Sequence, residues 1–108
     1  MKNSNNETVK LVVFVPETHA DIVREAMGKA GAGLIGDYKH CSFSVKGIGR
    51  FTPFETAHPA IGKAGKKEEV VEERIETVCY KKNLDKIIDA IKKAHPYEEV
   101  AFDVYPLL

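Results

Sequence analysis

Apolar and polar positions divide the chain into six regular stretches. VKLVVFV, from Val9 to Val15, is β-branched and almost wholly apolar, and Pro16 bounds it, which predicts a central strand. Thr18 stands where a helix cap belongs, with Asp21 three residues on. Ile22, Val23, Ala26, Met27 and Ala30 then share one helical face before Gly31 and Gly33 stop the helix. CSFSVK, at 41 to 46, alternates: Cys41, Phe43 and Val45 fall on one side and Ser42, Ser44 and Lys46 on the other, as in a half-buried strand. EEVVEERIETVCY reads as a long strand with Val71, Ile75 and Cys79 opposed to Glu72, Arg74 and Glu76. Asn83 is placed to cap a second helix whose Leu84, Ile87, Ile88, Ile91 and Ala94 form an apolar stripe, and a last strand runs from Val100 to Tyr105.

The order is βαββαβ, and the chain compares with itself at a shift of 64 residues: Asp21 falls on Asp85, Ala26 on Ala90, Lys29 on Lys93 and Ala30 on Ala94. A duplicated strand-helix-strand unit predicts an α+β, ferredoxin-like βαββαβ sandwich, with a four-stranded antiparallel sheet and two helices on one face. In that comparison His95-Pro96-Tyr97 replaces Gly31-Ala32-Gly33, so the second helix is stopped by a proline that pushes His95 toward extended geometry. Residues 1 to 8 are polar and read as a disordered tail, and 9 to 108 as one domain. Within it, 47 to 67 carries four Gly and two Pro and reads as a loop too long for an idle connection.

At 108 residues there is room for one core. Sixteen basic and sixteen acidic residues cancel, which disfavours a polyanion partner. The third strand reinforces this, because Glu72, Arg74 and Glu76 stand where an RNA-binding sheet would carry stacking aromatics. No apolar run spans a membrane or makes a signal peptide, so the chain reads as soluble and cytoplasmic. Cys41 and Cys79 have no zinc-type spacing and read as core residues.

The face left bare by the helices is expected to expose Val12 and Phe14, beside Arg74, which suits contact with another copy. His95, Tyr97, Glu98 and Glu99 form the most site-like cluster. His95 at a helix C-terminus is favoured in its charged form, and either caps the last carbonyls while Tyr97 and Glu98 meet a neighbouring subunit, or binds a divalent metal with Glu98 and His40 or His58. In the loop, Gly47, Gly49 and Gly62 permit close backbone approach, and Arg50, Phe51 and Lys63 are candidates to receive a small anionic metabolite. A P-loop is excluded, since Ala57 and Ala64 occupy positions that require Gly and Ser or Thr. Alternatively Phe51, Pro53, Phe54, Pro59 and Ile61 dock the loop on an adjacent chain. No catalytic group is assigned: Cys41 and Ser42 beside His40 would point to opposite faces of a strand.

The motifs GAGLIGDYKHCSF (31 to 43), GIGRFTP (47 to 53), HPAIGKAGK (58 to 66), EERIETV (72 to 78) and HPYEEVAFDVY (95 to 105) resemble the inserted domain of the YqfO family. These NGG-interacting-factor-three-like proteins are also described as GTP cyclohydrolase type 2 homologues, and their insert is similar to CutA and PII. The resemblance implies a homotrimer and a non-catalytic binding or regulatory module, since the family's dinuclear metal ligands lie on the larger flanking domain. The alternative it leaves is a divalent-metal-binding, CutA-like protein or an accessory piece of a metal-dependent hydrolase.

Overall fold

A single long strand organises the molecule. In a computed structural model that describes residues 7–108, β3 (Glu68–Tyr80) pairs from Glu72 to Tyr80 with β1 (Thr8–Pro16) and from Glu68 to Glu76 with β2 (Phe43–Phe51). The short β4 (Phe102–Pro106) adds to the other side of β1. The result is one antiparallel sheet of order β2-β3-β1-β4, with α1 (Ala20–Lys29) and α2 (Leu84–Ala94) both against one face. This is the ferredoxin-like sandwich expected from the element order.

Alternation decides which side chains reach the helices. Leu11, Val13 and Val15 of β1, with Ile75 and Cys79 of β3, are buried against Val23, Met27, Ile87 and Ile91 of the helices. Burial raises the pKa of the Cys79 thiol. The 64-residue shift is obeyed to the residue. The 3₁₀ turns Glu17–His19 and Lys81–Asn83 are equivalent, and so are the starts of α1 and α2.

Several sequence expectations change. Of the tail read over 1 to 8, positions 1–6 lie outside the described residues, whereas Thr8 opens β1 and the Glu7 carbonyl accepts the Lys81 N–H. Thr18 does not cap α1, because a 3₁₀ turn intervenes and its hydroxyl pairs with the His19 ring instead. Asn83 holds the cap position of α2 without a side-chain cap bond. Ile22 is largely exposed, as the core stripe of α1 is Ala20, Val23 and Met27.

The expected loop over 47 to 67 begins only at Thr52. β2 runs on to Phe51 because Gly47 and Gly49 pair with Glu72 and Val70 in the ladder. β2 begins at Phe43 rather than Cys41 and is not half-buried. It is an edge strand, with Phe43 65% and Val45 50% exposed on the face away from the helices. The far end of the β2–β3 ladder extends past β1 as an arm, and the molecule measures 50 × 23 × 22 Å.

Val12 departs most from expectation. It points away from the helices, yet it is fully buried. In register it lies between Glu76 and Asp103, with Lys10 and Phe14 on either side along its strand, so longer side chains close over a short one.

Candidate functional site

Two segments far apart in sequence meet on the helix-free side of the sheet. The first is the corner that follows α2. Pro96 ends the helix and holds His95 extended, at φ −80° and ψ 139°. The ring turns inward: Nε2–H donates to the Phe14 carbonyl at 2.7 Å, and Nδ1 accepts the Tyr97 N–H at 3.1 Å. Since a carbonyl only accepts and an amide N–H only donates, these two bonds select the neutral Nε2–H tautomer. Burial lowers the His95 pKa from its usual 6.5, opposed in part by the bond to Phe14 and the charge of Glu72 and assisted by His19. The charged, carbonyl-capping His95 expected from the helix dipole is therefore replaced by a neutral ring that ties the helix exit to β1. Desolvation outweighs the dipole here.

Tyr97 packs between the His95 ring, 5.0 Å away centroid to centroid, and Phe51, 5.6 Å away edge-on. Its hydroxyl donates to Glu72 Oε2 at 3.0 Å. Burial, and then this bond to an anion, raises the phenol pKa far above its ordinary value. The Glu72 carboxylate lies directly over Gly49, where a Cβ would come within 2.1 Å of Oε1, so only glycine leaves room for it.

The second segment is loop 52–67. It is braced internally by Gly65 N–H on the Pro53 carbonyl at 2.7 Å and Ala57 N–H on the Phe54 carbonyl at 3.0 Å. It is tied to the corner where His58 N–H donates to Glu98 Oε1 at 2.9 Å. Between the two lies a cleft of about 400 Å³, walled by Phe14, Phe51, Phe54 and Tyr97, with Pro59 and Ile61 on the loop side.

Gly49, Arg50, Phe51, Phe14, Tyr97 and Glu98 thus come together in this cleft. Gly47 sits in the β2 ladder opposite Glu72, Gly62 packs beside Glu68, and Lys63 is exposed on the loop; none of the three lines the cleft. The proposed metal set His40, His58, His95 and Glu98 is dispersed. His40 lies on the helix side of the sheet, in a separate cleft of about 310 Å³ with its ring against Gly28. His58 meets Glu98 through its backbone, and both ring nitrogens of His95 are engaged. Among the described residues no group of three or more His, Cys, Asp or Glu is gathered to hold a metal ion.

Arg74 pairs within the chain, with Glu76 at 3.0 Å, and its guanidinium stands 5.8 Å above the Phe14 ring. Glu72, a cleft residue, was legible in sequence only as a charge on the bare face; its bond to Tyr97 needs the sheet register and the missing Cβ of Gly49. Among the described residues, no helix is long and apolar enough to cross a membrane.

No family model matches the chain. It is 55% identical over 98 residues to the GTP cyclohydrolase 1 type 2 homolog of Halalkalibacterium halodurans and 52% identical to that of Bacillus subtilis, covering 91% of this chain in each case. The chain spans about a quarter of those relatives, 26% of their length. Among solved structures, the Bacillus cereus protein related to NIF3 superposes over 94% of this chain and 26% of its own, with a TM-score of 0.80 and 52% identity. CutA from Archaeoglobus fulgidus, a periplasmic divalent cation tolerance protein, superposes over 93% of this chain and 83% of its own, with a TM-score of 0.66 at 14% identity, a likeness of fold. The chain is therefore similar in sequence to about a quarter of the NIF3-related, or YqfO, proteins, and its fold is like that of CutA.

Proposed function

We propose that the chain is a non-catalytic binding or regulatory module that works as a homo-oligomer, most simply a trimer, and takes a small ligand or a partner in the cleft between loop 52–67 and the His95 corner. The observation that carries this reading is the cleft itself. Aromatic side chains from three separate parts of the chain converge on it, and partly buried hydrogen bonds fix its floor. Such convergence is what a binding site needs and what a mere connection does not.

Oligomerisation is supported by Phe43 and Val45, exposed on the uncovered face of an edge strand whose outer backbone groups have no strand beside them among the described residues. Light scattering tests it: three times the 12.0 kDa of one chain is expected, and a monomer mass defeats the assembly. Phe43→Asp is expected to lower the mass in the same measurement.

A second reading, as a divalent-metal-binding protein or as an accessory to a metal-dependent hydrolase, rests on the names of the relatives; Glu72, Glu98 and Glu99 line the cleft without being gathered as a ligand set. Titration with divalent ions followed by calorimetry separates the two, because this reading requires saturable binding at a whole-number stoichiometry.

A further inference from the structure

Building on the reading of the cleft as a binding site, we propose that its ligand is an organic cation: an ammonium group borne on a flat apolar body. The charge distribution runs against the anion that the glycine-rich loop suggests in sequence. Glu72, Glu98 and Glu99 line the cleft, and Arg50, the one Lys or Arg among the described residues that does, is held by Glu69 at 2.8 Å. The chain's own carboxylates also occupy the glycines an anion would use. Glu68 lies beside Gly62, and a Cβ on Gly65 would come within 2.9 Å of Glu55 Oε1. An anion entering here would meet three carboxylates that have no ion-pair partner among the described residues, whereas a cation would find them complementary.

The walls suit such a guest as well. Phe14, Phe51 and Tyr97 offer ring faces and edges, and aromatic faces attract ammonium groups. Phe14 already carries a cation on this side of the sheet, the Arg74 guanidinium. Tyr97 uses one acceptor position on Glu72, and a carboxylate has about four. The ammonium group is placed against Glu72, at the floor, and the apolar body between Phe51 and the Pro59–Ile61 side of the loop. The volume of about 400 Å³ falls in the range of roughly 300–1,000 Å³ usual for small-molecule sites.

The test is a pair of probes with one body and opposite heads, tryptamine and indole-3-propionate, each titrated into the ¹⁵N-labelled protein and followed by NMR. Tryptamine is expected to shift the amides of Gly49, Phe51 and Tyr97 to saturation while indole-3-propionate leaves them in place. Glu72→Gln, which keeps an acceptor for the Tyr97 hydroxyl, is expected to weaken tryptamine about tenfold. Equal shifts from both probes, or a preference for the carboxylate, overturn the cation assignment and leave the cleft standing as a binding site. Silence from both overturns the cleft reading too, and an unchanged affinity in Glu72→Gln overturns the placement of the ammonium group.

Discussion

The two halves of the domain share a strand, a 3₁₀ turn and a helix at a constant offset, yet they leave their helices by different means. α1 exits through a Schellman motif: Gly31 at φ 111° lets the Ala32 N–H reach the Met27 carbonyl and its own N–H reach Gly28. The chain then passes so close to the sheet that the Gly33 N–H donates to the Val78 carbonyl at 2.7 Å. α2 exits through a proline, and the equivalent of Val78 under the 64-residue shift is Phe14, whose carbonyl is taken by the His95 ring. Each helix exit thus donates to the corresponding strand residue of the other half. In the first the donor is the Gly33 backbone, which glycine permits; in the second it is an imidazole, because Tyr97, the equivalent of Gly33, gives its N–H to His95 Nδ1 instead. Exchanging a backbone donor for a side chain keeps the chain at a distance from the strand, and Tyr97 and the candidate cleft occupy the space so opened.

That difference can be broken most severely at the glycine exit. Gly33 has φ 83°, and a Cβ there would sit 2.5 Å from the Cys41 amide nitrogen, backbone that has no rotamer to yield. Gly33→Ala is expected to destabilise by about 3 kcal/mol or more, read as a lowered urea midpoint. The histidine exit should yield next. His95→Ala leaves the Phe14 carbonyl without its ring donor and is expected to cost about 1–3 kcal/mol in the same assay.

A pH series sharpens the contrast between the exits. Because folding lowers the His95 pKa, the unfolded chain binds the proton more readily. Stability from this group is therefore full above about pH 6.5 and is lost as the pH falls below it toward the folded pKa. Urea unfolding of the parent chain is expected to weaken on acidification through that window, and His95→Ala to weaken less; parallel curves would defeat the role given to the ring.

Smaller effects follow at the cleft. Gly49→Ala evicts the Glu72 carboxylate and with it the Tyr97 hydrogen bond, expected to lower stability by about 1 kcal/mol and to shift the Tyr97 amide resonance. Arg50→Ala touches neither exit. Its pair with Glu69 is exposed on both sides, so its loss is expected to change stability by less than about 0.5 kcal/mol.

Much of this was visible in the order of residues. The six elements, the stripe of Ile87 and Ile91, the Ile75–Cys79 face and the punctuation by Gly31 and Pro96 all follow from local periodicity, because each depends on neighbours three or four positions away at most. In sequence β2 looks shorter than it is because Gly47 and Gly49 look like loop residues, and only pairing with β3 makes them strand. Alternation places Val12 on the bare face and so predicts exposure, because it gives the face but not the length of the side chains that cross from the next strands.

By itself, then, the sequence determined the architecture: two equivalent helical units, a sheet bare on one side, and a histidine-proline corner different in kind from its glycine counterpart. What only the tertiary structure decided is where that corner's atoms go. A neutral His95 bound to Phe14, and a Glu72 carboxylate resting on Gly49 to receive Tyr97, depend on contacts between residues separated by scores of positions. Desolvation and cross-strand register set those contacts, and neither is written in any short stretch of the chain.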